Sequence, residues 1–100
     1  MSMYNPAHPG EILKELVLDP IGLSISETAV RLGVNRNTLS RIISCQGTIT
    51  PEIALRLEMT FGKPDATHWL RLQNAYDLWQ LKKRGNNFDV NPIRLQSATS

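Results

Sequence analysis

Between Asn35 and Ser44 the chain carries a cluster of side chains able to read or hold a nucleic acid: Asn35, Arg36, Asn37, Thr38, Ser40 and Arg41. Arg forks bidentately onto the major-groove edge of guanine, and Asn does the same for adenine. Ser and Thr hydroxyls reach phosphate oxygens, and Thr can also touch the thymine methyl. Asn37 and Arg41 are one helical turn apart and so share a face, with Arg36 flanking them at the N-terminal end. No acidic residue occurs between Glu27 and Glu52. An ordinary solvated helix face mixes Glu with Lys, whereas this one is Arg, Asn, Thr and Ser without acid. Arg36, Asn37 and Arg41 are therefore the candidates for base contact. Asn35, Thr38 and Ser40 are candidates for the sugar-phosphate backbone.

Other reactive residue types are sparse. His8, beside Pro9, has no second His, Cys or carboxylate at ligand spacing, and it reads as a surface histidine. His68, in the first turn of a helix, reads as structural. Cys45, the one cysteine, can form neither an internal disulfide nor a metal cluster and reads as a small, partly buried residue. Asp77 beside Tyr76 reads as a local anchor. There is no glycine-rich phosphate loop, no nucleophile–base pair and no pair of carboxylates set for acid–base work. No catalytic residue, metal or cofactor is expected, and an enzyme is not expected.

The reading face needs elements to hold it, and the punctuation of the chain supplies them. Residues 1–8 read as an extended arm. Pro9 suits the first turn of a helix, whose inner face is Ile12, Leu13, Leu16 and Val17, and Asp19-Pro20 with Gly22 is expected to stop it. Ser24-Ile25-Ser26-Glu27 is a capping box for a short helix to Leu32. Gly33 is placed for a positive φ, and Asn35 is an N-cap for a third helix to about Ser44. Ala29 is small where these two helices cross, and Val34, Leu39 and Ile42, with Leu32 behind, form the apolar seam. Two helices joined by a short turn containing Gly make a helix-turn-helix.

Thr50-Pro51-Glu52 starts a fourth helix, with Ile53, Ala54, Leu57 and Phe61 buried and Gly62 at its end. Asp65 or Thr67 caps a fifth, running to about Lys83. The expected domain is 9–84, and 85–100, polar with Pro92, is expected to be a flexible tail. Phe88 and Val90 alternate too weakly for a strand. At 100 residues, 41% apolar and 20% charged with net charge +2, the chain is one globular domain. It has neither a bilayer-length apolar run nor a signal-peptide pattern, so a cytoplasmic protein without a membrane partner is expected.

Three stretches carry a resemblance. They are His8-Pro9-Gly10-Glu11-Ile12-Leu13, then Glu27-Thr28-Ala29-Val30-Arg31-Leu32-Gly33-Val34 with Thr38-Leu39-Ser40-Arg41, and finally Trp69-Leu70-Arg71-Leu72-Gln73 with Tyr76-Asp77-Leu78-Trp79. Over residues 4–82 the chain resembles the HigA/VapI family of antitoxins, within the wider Cro/cI-like (XRE) helix-turn-helix superfamily. The first and last stretches together are more specific than a helix-turn-helix alone. The resemblance implies an all-α, five-helix fold like that of lambda repressor. It also implies neutralisation of a RelE-like, mRNA-cleaving toxin and repression of the operon encoding both proteins. Ile25 stands where many members of the superfamily carry a Gln that touches the DNA backbone, which leaves Ser24 and Ser26 as the phosphate candidates of the second helix.

Trp69, Leu72, Tyr76 and Trp79 form an apolar stripe on the last helix. For Trp69 and Leu72, core and partner surface both stay open, whereas Tyr76 and Trp79 are the candidates for a homodimer interface. One short helix reads few base pairs, so two copies on an inverted-repeat operator are expected. Residues 86–100 contain Asp89 and Arg94 and no other charge, so no acidic tail is available for a cationic toxin. The toxin is expected to dock on Tyr4, Glu11, Lys14 and Glu15, away from the recognition helix. A stand-alone phage-type repressor, or an interaction module using the helix-turn-helix as scaffold, are the alternatives; the acid-free face argues against the latter.

Overall fold

Pro9 occupies the first turn of helix α1 in the computed structural model, which describes residues 5–85 and 88–94. Residues 9–21 wind as one continuous helix with a change of register: an α turn (Pro9–Ile12), a π segment (Leu13–Leu18) and a closing turn (Asp19–Ile21). Asp19-Pro20 therefore does not stop α1, contrary to expectation. A proline inside a helix has no N–H and crowds the carbonyl four residues back. Here the helix widens just before it, and the Asp19 N–H donates to the Lys14 carbonyl five residues back. The exit is at Gly22, where the Gly22 and Leu23 N–H groups both donate to the Leu18 carbonyl, at 2.8 and 3.1 Å.

The remaining helices follow their caps: α2 (Ile25–Leu32), α3 (Arg36–Ile43), α4 (Pro51–Phe61) and α5 (Ala66–Lys83). The Ser24 capping box is complete, with Ser24 Oγ accepting from the Glu27 N–H at 3.1 Å and the Ser24 N–H donating to the Glu27 carboxylate at 3.3 Å. Asp65, rather than Thr67, caps α5, its carboxylate accepting from the His68 N–H at 2.9 Å. Among the described residues the fold is all-α with five helices. Among the described residues there is no strand, and 88–94 have no regular structure. No described helix is long and apolar enough to cross a membrane.

Helix α2 packs on α3 and α4, α4 on α5, and α1 on both α3 and α5. Leu13 and Leu18 of α1, Ala29 and Leu32 of α2, and Leu39 and Ile42 of α3 meet Ala54, Leu57 and Trp69 in one buried cluster. Trp69 is fully buried and Leu72 packs half-buried against that cluster, so the first half of the α5 stripe is core. Full burial of a side chain such as Leu39 stabilises by about 1.5–3 kcal/mol. That seam holds α3 against α1 and α2.

Candidate nucleic-acid interface

Helix α3 divides cleanly. Leu39 and Ile42 are buried, Ser40 is half-buried, and Arg36, Asn37, Thr38 and Arg41 are exposed on the outer side. Asn35 caps the helix, its side-chain carbonyl accepting from the Asn37 N–H at 2.7 Å. Its amide NH2 takes no part in that bond and can donate to a phosphate. Arg36 is held in place: its Nε donates to Ser26 Oγ of α2 at 2.9 Å, so a base candidate and a phosphate candidate are tied together. Ser24 is differently engaged. Its hydroxyl belongs to the capping box and also donates to the Glu27 carboxylate at 3.3 Å. Ile25, half-buried, packs against the core.

The turn between α2 and α3 is secured by a residue that sequence reasoning missed. Gly33 turns the chain with φ 72°. Arg56 of α4 donates through Nη1 to the Leu32 carbonyl at 2.9 Å and the Gly33 carbonyl at 3.3 Å. Its Nε and Nη2 meet the Glu52 carboxylate at 3.1 and 2.9 Å. A guanidinium thus satisfies carbonyls at the C-terminus of α2, where the helix dipole favours a cation. The Glu52/Arg56 spacing was legible as a helical ion pair; the carbonyls it serves come from 23–24 residues away.

The far end of α3 is gripped by the segments on either side of the domain. His8 is not a surface histidine: it is 3% exposed, because it caps α1 and fills the gap behind loop 44–50. Its Nδ1 accepts from the Gly10 N–H at 2.9 Å, which leaves the proton on Nε2, and Nε2 donates to the Gly47 carbonyl at 3.0 Å. The ring packs edge-on against Tyr76 of α5, centroids 4.7 Å apart. Gly10 lies so close to α3 that a Cβ there would run into the Ile42 carbonyl. Gln73, buried on α5, accepts from the Ile49 N–H at 2.8 Å and donates to Asp77 Oδ1 at 2.9 Å. Asp77 is thus the local anchor expected, whereas His68 is exposed.

Cys45 is exposed rather than partly buried, in a left-handed conformation (φ 68°) just after α3. Although the residue is exposed, partial desolvation of its sulfur by the surrounding chain raises the thiol above its ordinary value, and the nearby Glu11 carboxylate adds to that; a hydrogen bond from the Glu11 backbone opposes it. Glu11, Lys14 and Glu15 are exposed on α1, with Lys14 paired to Asp19 at 3.1 Å. They are not all remote from the recognition helix, because Gly10 allows the first turn of α1 to abut its C-terminal end. Tyr4 lies outside the described residues. Tyr76 and Trp79 are half-buried: Tyr76 is turned towards His8 and its hydroxyl accepts from Gln80 at 2.6 Å, while the Lys83 ammonium sits 4.7 Å from the Trp79 ring centre.

Comparison with known proteins agrees with this geometry. Residues 13–67 match the helix-turn-helix family HTH_3. The chain is 47% identical to virulence-associated protein A of Dichelobacter nodosus over 76 residues, covering 76% of this chain and 74% of that protein. It is 37% identical over 79 residues to antitoxin HigA-1 of Vibrio cholerae, covering 79% and 73%. Among solved structures it is similar to Pseudomonas aeruginosa antitoxin HigA with the higBA promoter, at 29% identity and a TM-score of 0.76 over 89% of this chain and 99% of that one. The helix-turn-helix match over more than half of the chain, with relatives of these kinds, places the protein: it is no enzyme, and it belongs to the XRE-type helix-turn-helix family of DNA-binding antitoxins and transcription regulators that includes HigA and VapI.

Proposed function

We propose that this chain is the antitoxin of a type II toxin–antitoxin pair, which represses its own operon by sequence-specific DNA binding and neutralises a RelE-like, RNA-cleaving toxin. The observation that carries the reading is the outer face of α3, where Arg36, Asn37 and Arg41 stand exposed without an acidic neighbour on the helix. These three contact base edges. Ser26, Asn35, Thr38 and Ser40, with Ser24 at the α2 cap, serve the backbone. The protein binds as a two-fold dimer through Trp79 and Tyr76, so that two α3 helices meet half-sites about 34 Å apart. The toxin docks on the arm with Tyr4 and on Glu11, Lys14 and Glu15 of α1. The domain runs over 9–84, flanked by an arm and a tail, and works in the cytoplasm.

Two measurements on one preparation test this. In a gel shift, the full chain should retard the DNA upstream of its own reading frame and resist competition by a scrambled duplex. In a growth assay, it should rescue cells expressing the neighbouring short frame. Operator binding without rescue would leave a stand-alone repressor. Rescue without discrimination between the duplexes would remove the repressor role.

A further inference from the structure

We propose that His8 is a positioning residue for sequence reading, acting from the far end of the chain through the loop that follows α3. The proposal rests on α3 being the DNA-reading helix. Its ground is a continuous set of bonds. The Arg41 carbonyl accepts from the Gln46 and Gly47 N–H groups, both at 2.8 Å, which closes the C-terminus of α3 onto its loop. The Gly47 peptide is therefore tied on both sides: its N–H to Arg41 and its carbonyl to His8 Nε2. His8 is in turn fixed by the Gly10 N–H on its other nitrogen and by Tyr76 against its ring. One imidazole thus links the start of α1, the last helix and the backbone of Arg41, whose side chain is a base-contact candidate.

Two neighbouring features make the grip firm. Gln73 holds Ile49, two residues beyond Gly47, by the Ile49 N–H. Gly10 lets α1 press directly onto the Ile42 carbonyl, so the histidine cannot retreat without moving α3. The Gly10–His8 and Ile49–Gln73 bonds are buried and the His8–Gly47 bond is partly so, and a lost partner there leaves a shielded group unsatisfied. A histidine that merely filled space would matter for stability alone. A positioning histidine matters for the orientation of Arg41 as well, and its two nitrogens can be separated by substitution. Asn offers an oxygen where Nδ1 stands, and Gln offers an N–H where Nε2 stands.

The experiment compares full-length wild type, His8→Asn and His8→Gln. The probe is the duplex that wild type selects from a randomised pool, set against a scrambled duplex. His8→Asn keeps the cap and releases Gly47; its preference for the selected duplex should fall about five- to tenfold, the net worth of a hydrogen bond. Amide hydrogen exchange at Gln46 and Gly47 should quicken in the same variant. His8→Gln keeps the Gly47 bond and should stay within about twofold of wild type, although both variants melt lower. Should His8→Asn not fold, Gln73→Met releases Ile49 from the other side and should show the same loss. Undiminished preference in the variant that releases the loop overturns the proposal, and so does an equal fall in His8→Gln, which would tie the loss to stability. A wild-type chain that selects no sequence overturns the DNA-reading assignment itself, and the positioning role with it.

Discussion

Arg36 and Arg41 differ in how they are held, and that difference is measurable. Arg36 is restrained by Ser26, whereas Arg41 extends from the last turn of α3. Replacing Arg41 by Ala should cost about 1–3 kcal/mol on the selected duplex and relax preference at one base pair. Equal loss on scrambled DNA would instead make it a phosphate contact. Ser26→Ala should weaken binding to both duplexes through a lost backbone contact and, by freeing Arg36, weaken the selected duplex more, so the preference falls. Cys45 gives an independent check of local geometry. Its thiol is raised first by partial desolvation and then by Glu11, so at neutral pH less of it is thiolate, the reactive form. Alkylation should be slower than for free cysteine and should accelerate only as pH climbs past the ordinary thiol value. Glu11→Gln should speed it at fixed pH; an unchanged rate would mean that the carboxylate does not act on the sulfur.

At the scale of elements, the contact between α1 and α3 is the one with least tolerance. Gly10→Ala forces α1 off the Ile42 carbonyl and should cost about 1–3 kcal/mol, seen as a lower melting temperature. A variant that melts like wild type would show that the two helices separate easily. The helices and their caps were legible because they are local: Ser24 and Glu27, Asn35, Thr50 with Pro51 each act within a turn of their own helix. The outer face of α3 was legible for the same reason. What the sequence hid is what joins distant segments. His8 was read as a surface residue because its partners, Gly47 and Tyr76, lie 39 and 68 positions away. Arg56 was missed, because only its i,i+4 spacing to Glu52 marks it, and the carbonyls it serves lie 23 and 24 positions away. The break assigned to Asp19-Pro20 failed because a change of helical register, which leaves no mark in residue types, absorbs the proline.

At the scale of the whole molecule, the proposed dimer would draw on the last helix. Half of its apolar stripe is used internally, by Trp69 in the core, and Tyr76 leans on His8; Trp79, half-buried under Lys83, is the stripe residue proposed to meet a partner, beside the more exposed Leu78. Light scattering at micromolar concentration should find a dimer for wild type and a monomer for Trp79→Ala. A dimer that survives this change would place the interface elsewhere. The clamp on loop 44–50 also bears on how the protein comes into being. One half of it is supplied by residue 8 and the other by residues 73 and 76. Contacts between such distant points form late, since a long stretch of chain must close before they reward it. A growing chain that has emerged only as far as Gly62 already holds every residue of the helix-turn-helix. It still lacks the glutamine and tyrosine that fix the loop behind α3. If the loop clamp positions α3 as proposed, discrimination between DNA sequences arrives only once the last helix has folded onto the loop, and a protein truncated after α4 should contain the motif without its discrimination.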